Sequence, residues 1–310
     1  MNQPPDQDVD CLIVGAGPAG LSAAIYLARY RRNFLLADAG SSRASLIPCT
    51  HNYPGFPEGI SGVDLLYRLK EQAERYGAVV THGSVTNMER TKQGFRAKLG
   101  NSIVTARKVL LATGVVDRKP ALQNLREIIY RGNMRLCPIC DGYEMIDRAV
   151  AVLGSVKEGV KKLLFLSTYT RDLTFLPVGP DVTLSAEEEK ILRGLGISLP
   201  LEPVLDLRVD GDEITAEMAN GEQRRVEVLY PALGADARSE LLVEVGGTVN
   251  ESGCIVTDPH QQTTVAGFYA AGDVVNELHQ ITVGTAHAAI AATAIHNTLN
   301  EEDRRMTPQA

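Results

Sequence analysis

The sequence predicts an α/β fold containing two Rossmann-like, three-layer nucleotide-binding units. Three observations carry this expectation. The chain opens with a strand, a glycine turn, a helix, a second strand and an acid, in that order. The same series recurs at an offset of 139 residues, with part of its chemistry removed. Just before the second copy stand two cysteines separated by two residues, Cys137-Pro138-Ile139-Cys140.

The first series begins with Val9–Val14, a short apolar run of the kind that forms a buried parallel strand. Gly15-Ala16-Gly17-Pro18-Ala19-Gly20 follows at once, and Leu21–Ala28 reads as a helix. Gly15 permits the tight turn, Gly17 lets the backbone approach a pyrophosphate, and Gly20 allows close helix–strand packing. The helix then presents free N–H groups and a positive dipole end to the phosphates. The next strand, Asn33–Asp38, ends in a carboxylate about 20 residues beyond the glycines, where ribose hydroxyls are bound. Taken alone, Asp38 is an ordinary strand-end acid; the full series is more specific than any single residue in it.

A long loop rich in Ser, Pro and Gly runs from Ser41 to Ile60, and loops of that length in compact domains are usually functional. The segment 64–76 reads as an amphipathic helix through Leu65, Leu66, Leu69 and Ala73. Val79-Val80, Phe95–Ala97 and Ile103-Val104 read as strands of a small antiparallel insertion. Val109–Ala112 reads as a separate apolar strand that ends at Thr113-Gly114 and rejoins the first sheet beside the nucleotide.

In the second copy, Ala149–Leu153 takes the place of the first strand and Gly154-Ser155-Val156-Lys157-Glu158-Gly159 that of the glycine turn. Leu173–Leu176 follows as the next strand. Val156 now stands where Gly17 stood and Pro177 where Asp38 stood. A β-branched side chain obstructs the approach of a pyrophosphate, and proline cannot bind a ribose. The acidic run Ser185–Lys190 would repel a 2′-phosphate. The expectation is a retained fold with NAD(P)H binding lost; an unconventional NADH site is the competing reading.

The cysteine pair is the chemical centre. A CxxC is either a redox pair or half a metal site, and no second CxxC or HxxxH supplies the other half. Beside a Rossmann unit the redox reading is the stronger. Arg131 and Arg135 precede it, and nearby cations favour the thiolate. Asp141 follows directly and can shuttle a proton. Cys11 reads as core packing, and Cys49 and Cys254 as lone thiols that could be exposed.

Beyond the second copy, Leu233–Ala235 closes that unit and Gly253–Asp258 begins a return to the first. Gly267–Asp273 reads as an aromatic strand ending in Gly272-Asp273, a carboxylate placed to bind a hydroxyl chain. The segment 280–299 reads as a helix rich in small residues, with His287 structural, as is His279 before it.

Composition excludes other classes. The net charge of −7, without basic blocks, argues against nucleic acid. No run of about 18 apolar residues offers a membrane span. The acidic, polar start, MNQPPDQDVD, lacks the pattern of a signal peptide, so the expected location is the cytoplasm.

The motifs GAGPAG at 15–20, LLATG at 110–114, CPICDG at 137–142 and YAAGD at 269–273 stand in the order seen in low-molecular-weight thioredoxin reductases. The chain resembles that family over nearly its whole length. The resemblance implies an FAD domain made from residues 1–116 and 242–310, a pyridine-nucleotide-like domain inserted at 117–241, and a homodimer. It implies that Cys140 faces the flavin, that Cys137 exchanges with a substrate disulfide, and that Asp141 is the acid–base residue. Gly15, Gly17, Pro18, Ala19, Gly20 and Asp38 would hold the ADP half of FAD. Asn52, Thr113 and Gly114 would lie by the flavin, Gly272 and Asp273 would hold the ribityl chain, and Gln280 and Ile281 would meet the ring. No metal is implied. The chain departs from the family where the second glycine motif and the following His-Arg-Arg segment should stand; GSVKEG and LTFLPVG take their places. In this it resembles the branch that lacks the NADPH-binding motifs. That branch implies ferredoxin or a second flavin as electron source and a thioredoxin-like protein as the disulfide substrate. A dithiol oxidase passing electrons to oxygen and a flavin-binding redox sensor are the alternatives.

Overall fold

The computed structural model describes residues 6–120, 125–178, 183–199 and 202–306. In chain order the elements begin with β1 (Gln7–Val14), α1 (Pro18–Arg29), β2 (Phe34–Asp38), α2 (Gly62–Glu74) and β3 (Val80–His82). Then come β4 (Val85–Thr91), β5 (Gly94–Leu99), β6 (Ser102–Leu111), β7 (Val115–Asp117), α3 (Leu125–Arg131) and α4 (Pro138–Asp141). The second copy supplies β8 (Val150–Gly154), α5 (Val156–Leu166), β9 (Leu173–Pro177) and α6 (Ala186–Gly194). The remainder is β10 (Val204–Asp210), β11 (Glu213–Met218), β12 (Gln223–Val226), β13 (Val228–Ala232), β14 (Ala235–Ala237), α7 (Glu240–Glu244), β15 (Phe268–Ala270) and α8 (Ile281–Met306). The chain divides into two compact units; one comprises Met1–Ser45, Ser61–Val116 and Asp236–Ala310, the other Leu46–Ile60 and Asp117–Ala235.

In the first unit the strand order is β3-β2-β1-β6-β5-β4, with β15 also paired to β6. β1, β2, β3, β6 and β15 run parallel, and β4 and β5 form an antiparallel meander on β6. Side chains alternate across a strand, so β1 feeds two cores. Cys11 and Ile13 pack with Leu21, Ala24, Ala288 and Ile295 under α1 and α8. Leu12 and Val14 pack with Phe95, Phe268 and Leu242 on the other face. Burial on both faces explains the near-continuous apolar run in the sequence.

Two expectations need correction here. Val80 belongs to the parallel edge strand β3 and not to the antiparallel insertion, and Val79 is exposed. Ile103-Val104 and Val109–Leu111 are one long strand, β6. Thr105, Arg107 and Lys108 make its middle look like a loop. Their charges are instead engaged, since Arg107 and Lys108 pair with Glu302 and Arg107 also with Asp303. Those same pairs carry α8 on to Met306, beyond the Leu299 expected from its small-residue pattern.

The second unit repeats this plan. β13, β8 and β9 form a parallel sheet. One face carries α5, packing Val160, Leu163 and Leu166 on Val150, Val152 and Tyr230. The other is covered by the antiparallel β10-β11-β12, through Ile214, Ala216 and Met218. The pairing register is the same in both copies: Cys11 sits beside Phe34, and Val150 beside Leu173. The second Rossmann-like unit expected from the repeat is therefore present.

Candidate active site

Cys137 is extended and N-caps the single turn α4, and Pro138 at its first position has no N–H to leave unsatisfied. The turn brings Cys140 back to Cys137, and the two form a disulfide. The Cys140 N–H donates to Cys137 Sγ at 3.2 Å, a bond that favours negative charge on that sulfur once the disulfide is opened. Asp141 completes the turn. Tyr230, from the buried strand β13, donates its O–H to Asp141 Oδ1 at 2.6 Å, and Arg135 Nη1 lies 3.3 Å from Oδ2. Burial pushes the Asp141 carboxyl above the usual range, against the opposing pull of Tyr230 and Arg135. Burial, reinforced by the charge of Asp141, pushes the Tyr230 phenol up strongly, so it remains a donor.

The two arginines expected to favour the thiolate are committed elsewhere. Arg131 pairs with Glu127 at 2.6 Å on the exposed face of α3, and Arg135 pairs with Asp141. An arginine with a carboxylate four residues before it on a helix pairs with that neighbour first. Tyr230 is a site residue that sequence reasoning missed.

The raised Asp141 carboxyl has a consequence for stability. A folded-state value above the ordinary one, about 3.9, stabilises the fold most below that pH. The contribution is lost as pH rises through the folded value. Asp141→Asn does not titrate, so its melting temperature relative to wild type is expected to climb from pH 4 to pH 8. Thiol–disulfide exchange should meanwhile fall by about 10²-fold through loss of the proton carrier. Paired thermal melts and stopped-flow exchange test this; a variant melting progressively below wild type as pH rises would show that the charged carboxylate is a net stabiliser.

In the first unit the glycine turn brings most of the cofactor-binding candidates together. A Cβ on Gly15, whose φ is +104°, would lie 2.4 Å from the Ala112 carbonyl oxygen. One on Gly20 would lie 1.8 Å from the Gly15 oxygen. One on Gly17 would meet only Ser42 Oγ, at 3.3 Å. Folding thus requires Gly15 and Gly20 but leaves Gly17 room. Asp38 accepts from the Ala16 and Gly40 N–H groups, each at 3.0 Å, and so fixes the turn. Pro18 starts α1, and Ala19 packs beside Gly272, where an added Cβ would approach the Ala19 methyl to 3.0 Å. Asp273 pairs with Arg43 at 2.9 Å, which gives Arg43 a position by the YAAGD motif. Thr113 Oγ1 donates to the Arg238 carbonyl, and the Gly114 carbonyl accepts from the Arg238 N–H. Gln280 precedes α8 and Ile281 opens it.

Asn52 lies in the other unit. Its Nδ2 donates to the Ile139 carbonyl at 3.3 Å, tying the 46–60 segment to the turn between the cysteines.

The second glycine turn differs in one respect. A Cβ on Gly154 would lie 2.2 Å from the Ala232 oxygen, and one on Gly159 2.4 Å from the Phe175 ring. The two glycines that folding needs are kept. Val156, in the position that folding leaves open in the first copy, packs its side chain on the α5 core. Pro177 is buried at the end of β9.

Of the remaining cysteines, Cys11 and Cys254 are buried, and burial pushes both thiols up. Cys254 thus differs from the exposed thiol it could have been. Among the described residues no group of three His, Cys, Asp or Glu side chains could hold a metal, and no helix is long and apolar enough to cross a membrane.

A cysteine pair closed as a disulfide beside a half-buried acid, on a Rossmann-type unit, defines a disulfide oxidoreductase. The chain belongs to the pyridine nucleotide-disulphide oxidoreductase family, whose model matches residues 9–292. It is 31% identical over 301 residues to the thioredoxin reductase of Treponema pallidum, covering 93% of this chain and 96% of that protein. It is 28% identical to the thioredoxin reductase of Aquifex aeolicus, over 99% and 98% of the two chains. The solved structure of HlmI superposes with a TM-score of 0.90 at 27% identity, covering 98% of this chain and 96% of that one. The protein is a thioredoxin-reductase-like oxidoreductase.

Proposed function

We propose that the chain is an FAD-dependent disulfide oxidoreductase whose Cys137–Cys140 pair exchanges two electrons with a thioredoxin-like protein disulfide, using an electron source other than NADPH. The observation that carries the donor reading is the selective loss in the second glycine turn. Gly154 and Gly159, which packing demands, remain, and Val156 stands at the position that is a glycine in the first turn. Pro177 removes the ribose acid as well. Reduced ferredoxin or a second flavin is the proposed source, and a homodimer the proposed assembly.

The first unit fits FAD. Gly17 is open to backbone approach, and Asp38 and Asp273 provide carboxylates by the ends of β2 and β15, with Arg43 paired to Asp273. When bound, FAD supplies a two-electron carrier for the cysteine pair. The chain's own residues do the rest. In the reduced pair, Cys137 Sγ is stabilised as thiolate by the Cys140 N–H, attacks one sulfur of the substrate disulfide and releases the other as a thiolate. Cys140 then attacks Cys137 Sγ, restoring the intramolecular disulfide and freeing the second substrate sulfur. Asp141, whose carboxyl burial pushes up, carries the proton to a departing thiolate, with Tyr230 fixing its orientation.

Anaerobic titration of the flavoprotein with NADPH, then NADH, tests the donor. Neither should bleach the flavin absorbance at stoichiometric amounts, while dithionite should. Rapid stoichiometric bleaching by NADPH would overturn the donor reading and make Val156 and Pro177 a variant binding site.

A further inference from the structure

The 46–60 segment holds a second thiol arrangement that the redox pair does not use. Thr50 and Ile60 form an antiparallel bridge, with N–H···O distances of 2.9 and 3.0 Å. In extended chain, residues two apart share a face, so Cys49 and His51 project together. Cys49 Sγ and His51 Nε2 lie 3.6 Å apart. His51 Nδ1 lies 3.0 Å from Glu144 Oε1, in the short turn after the cysteine pair. Gly59 closes over them. Its φ is +75°, and a Cβ there would lie 2.5 Å from Cys49 Sγ and 2.9 Å from His51 Nε2. The thiol is exposed and bonded to no other sulfur. A nucleophile, a base in reach of it and an acid orienting the base form the arrangement that activates a cysteine.

We propose that Cys49, His51 and Glu144 form a reactive-thiol site, separate from the Cys137–Cys140 pair, that takes small disulfides by covalent exchange. His51 Nε2 receives the Cys49 proton while Nδ1–H stays on Glu144. The thiolate attacks one sulfur of RSSR, the Cys49–S–SR bond forms, the RS–SR bond breaks, and RS⁻ leaves with the proton from the imidazolium. The small disulfide is the oxidant and is itself reduced to one thiol; the products are a mixed disulfide on Cys49 and RSH. Among the described residues, the titratable groups contacting His51 are Cys49 from its own segment and Glu144 from the facing turn.

The experiment uses the oxidised holoprotein and the chromogenic disulfide dithiobis(nitrobenzoate). In that state Cys137 and Cys140 are paired and Cys11 and Cys254 are buried, so one equivalent of chromophore per chain is expected, and none from Cys49→Ser. His51→Gln should slow the reaction about tenfold near neutral pH, because the base within reach of the Cys49 proton is removed. The ratio should approach one in alkaline buffer, where hydroxide replaces the imidazole as the base. Glu144→Gln, an independent variant should His51→Gln fold poorly, should slow it in the same pH range. Equal rates for wild type and both variants across the pH range would reduce Cys49 to an ordinary exposed thiol and overturn the proposal. So would an undiminished equivalent from Cys49→Ser. Reduction of a protein disulfide by the Cys137–Cys140 pair should be unchanged in Cys49→Ser, which separates this site from the proposed function.

Discussion

Cys140→Ser is expected to lower turnover with a protein disulfide by at least about 10⁴-fold, because no resolving thiol remains to break a mixed disulfide. Flavin content should be unaffected, since the cofactor-binding candidates other than Asn52 lie in the other unit. The two single variants should differ in one observable. With Cys140 removed, Cys137 still attacks and is trapped as a mixed disulfide with the substrate protein, visible on a non-reducing gel. With Cys137 removed, no adduct should accumulate. The structure supports this order, because Cys137 Sγ caps the α4 turn and accepts the Cys140 N–H. Appreciable turnover by Cys140→Ser, or an adduct only in Cys137→Ser, would reverse the assignment or remove the pair from the mechanism.

What the sequence disclosed and what it hid follow from how far apart the partners lie. The two glycine turns were legible because their residues are contiguous and each glycine answers a local steric demand. The offset that aligns the turns also aligns the strand registers, so one pattern carried both units. Tyr230 was not legible. It lies 89 residues from Asp141 and reads as one more apolar residue of a buried strand. The available signal was that a buried tyrosine needs a partner for its O–H. Arg43 and Asp273 are 230 residues apart, beyond any local pattern. Strand β6 was split in two because the charges in its middle are neutralised by residues of α8 far along the chain. Cys49 reads as a lone thiol in the sequence because Glu144, which pairs with its neighbour His51, comes within reach only through the fold.

The glycines themselves offer the other large effect. In Gly20→Ala the new Cβ meets the Gly15 backbone oxygen at 1.8 Å, and a carbonyl inside a turn has no rotamer to change. That variant should lose more than about 3 kcal/mol and fail to accumulate as folded protein. Gly17→Val is a different case. Its backbone, at φ −73° and ψ −174°, is extended and suits a β-branched residue, and the nearest obstacle is a serine hydroxyl at 3.3 Å. The apoprotein should therefore fold, with a loss of about 1 kcal/mol at the helix N-cap. FAD affinity, however, should fall by roughly 10³-fold, about 4 kcal/mol, because the valine occupies the approach to the backbone N–H groups. The reciprocal change, Val156→Gly, should leave flavin content untouched and cost about 1 kcal/mol through a glycine at the start of α5. It should not by itself create NADPH reactivity, because Pro177 still offers no acid to a ribose. Flavin absorbance per folded chain and a thermal melt for each variant decide the matter. A Gly17→Val protein that is folded and fully yellow would mean that the cofactor does not use the first glycine turn. The reading of Val156 as the residue that closes the second turn would fail with it, since both rest on the same side chain at the same position of the same motif.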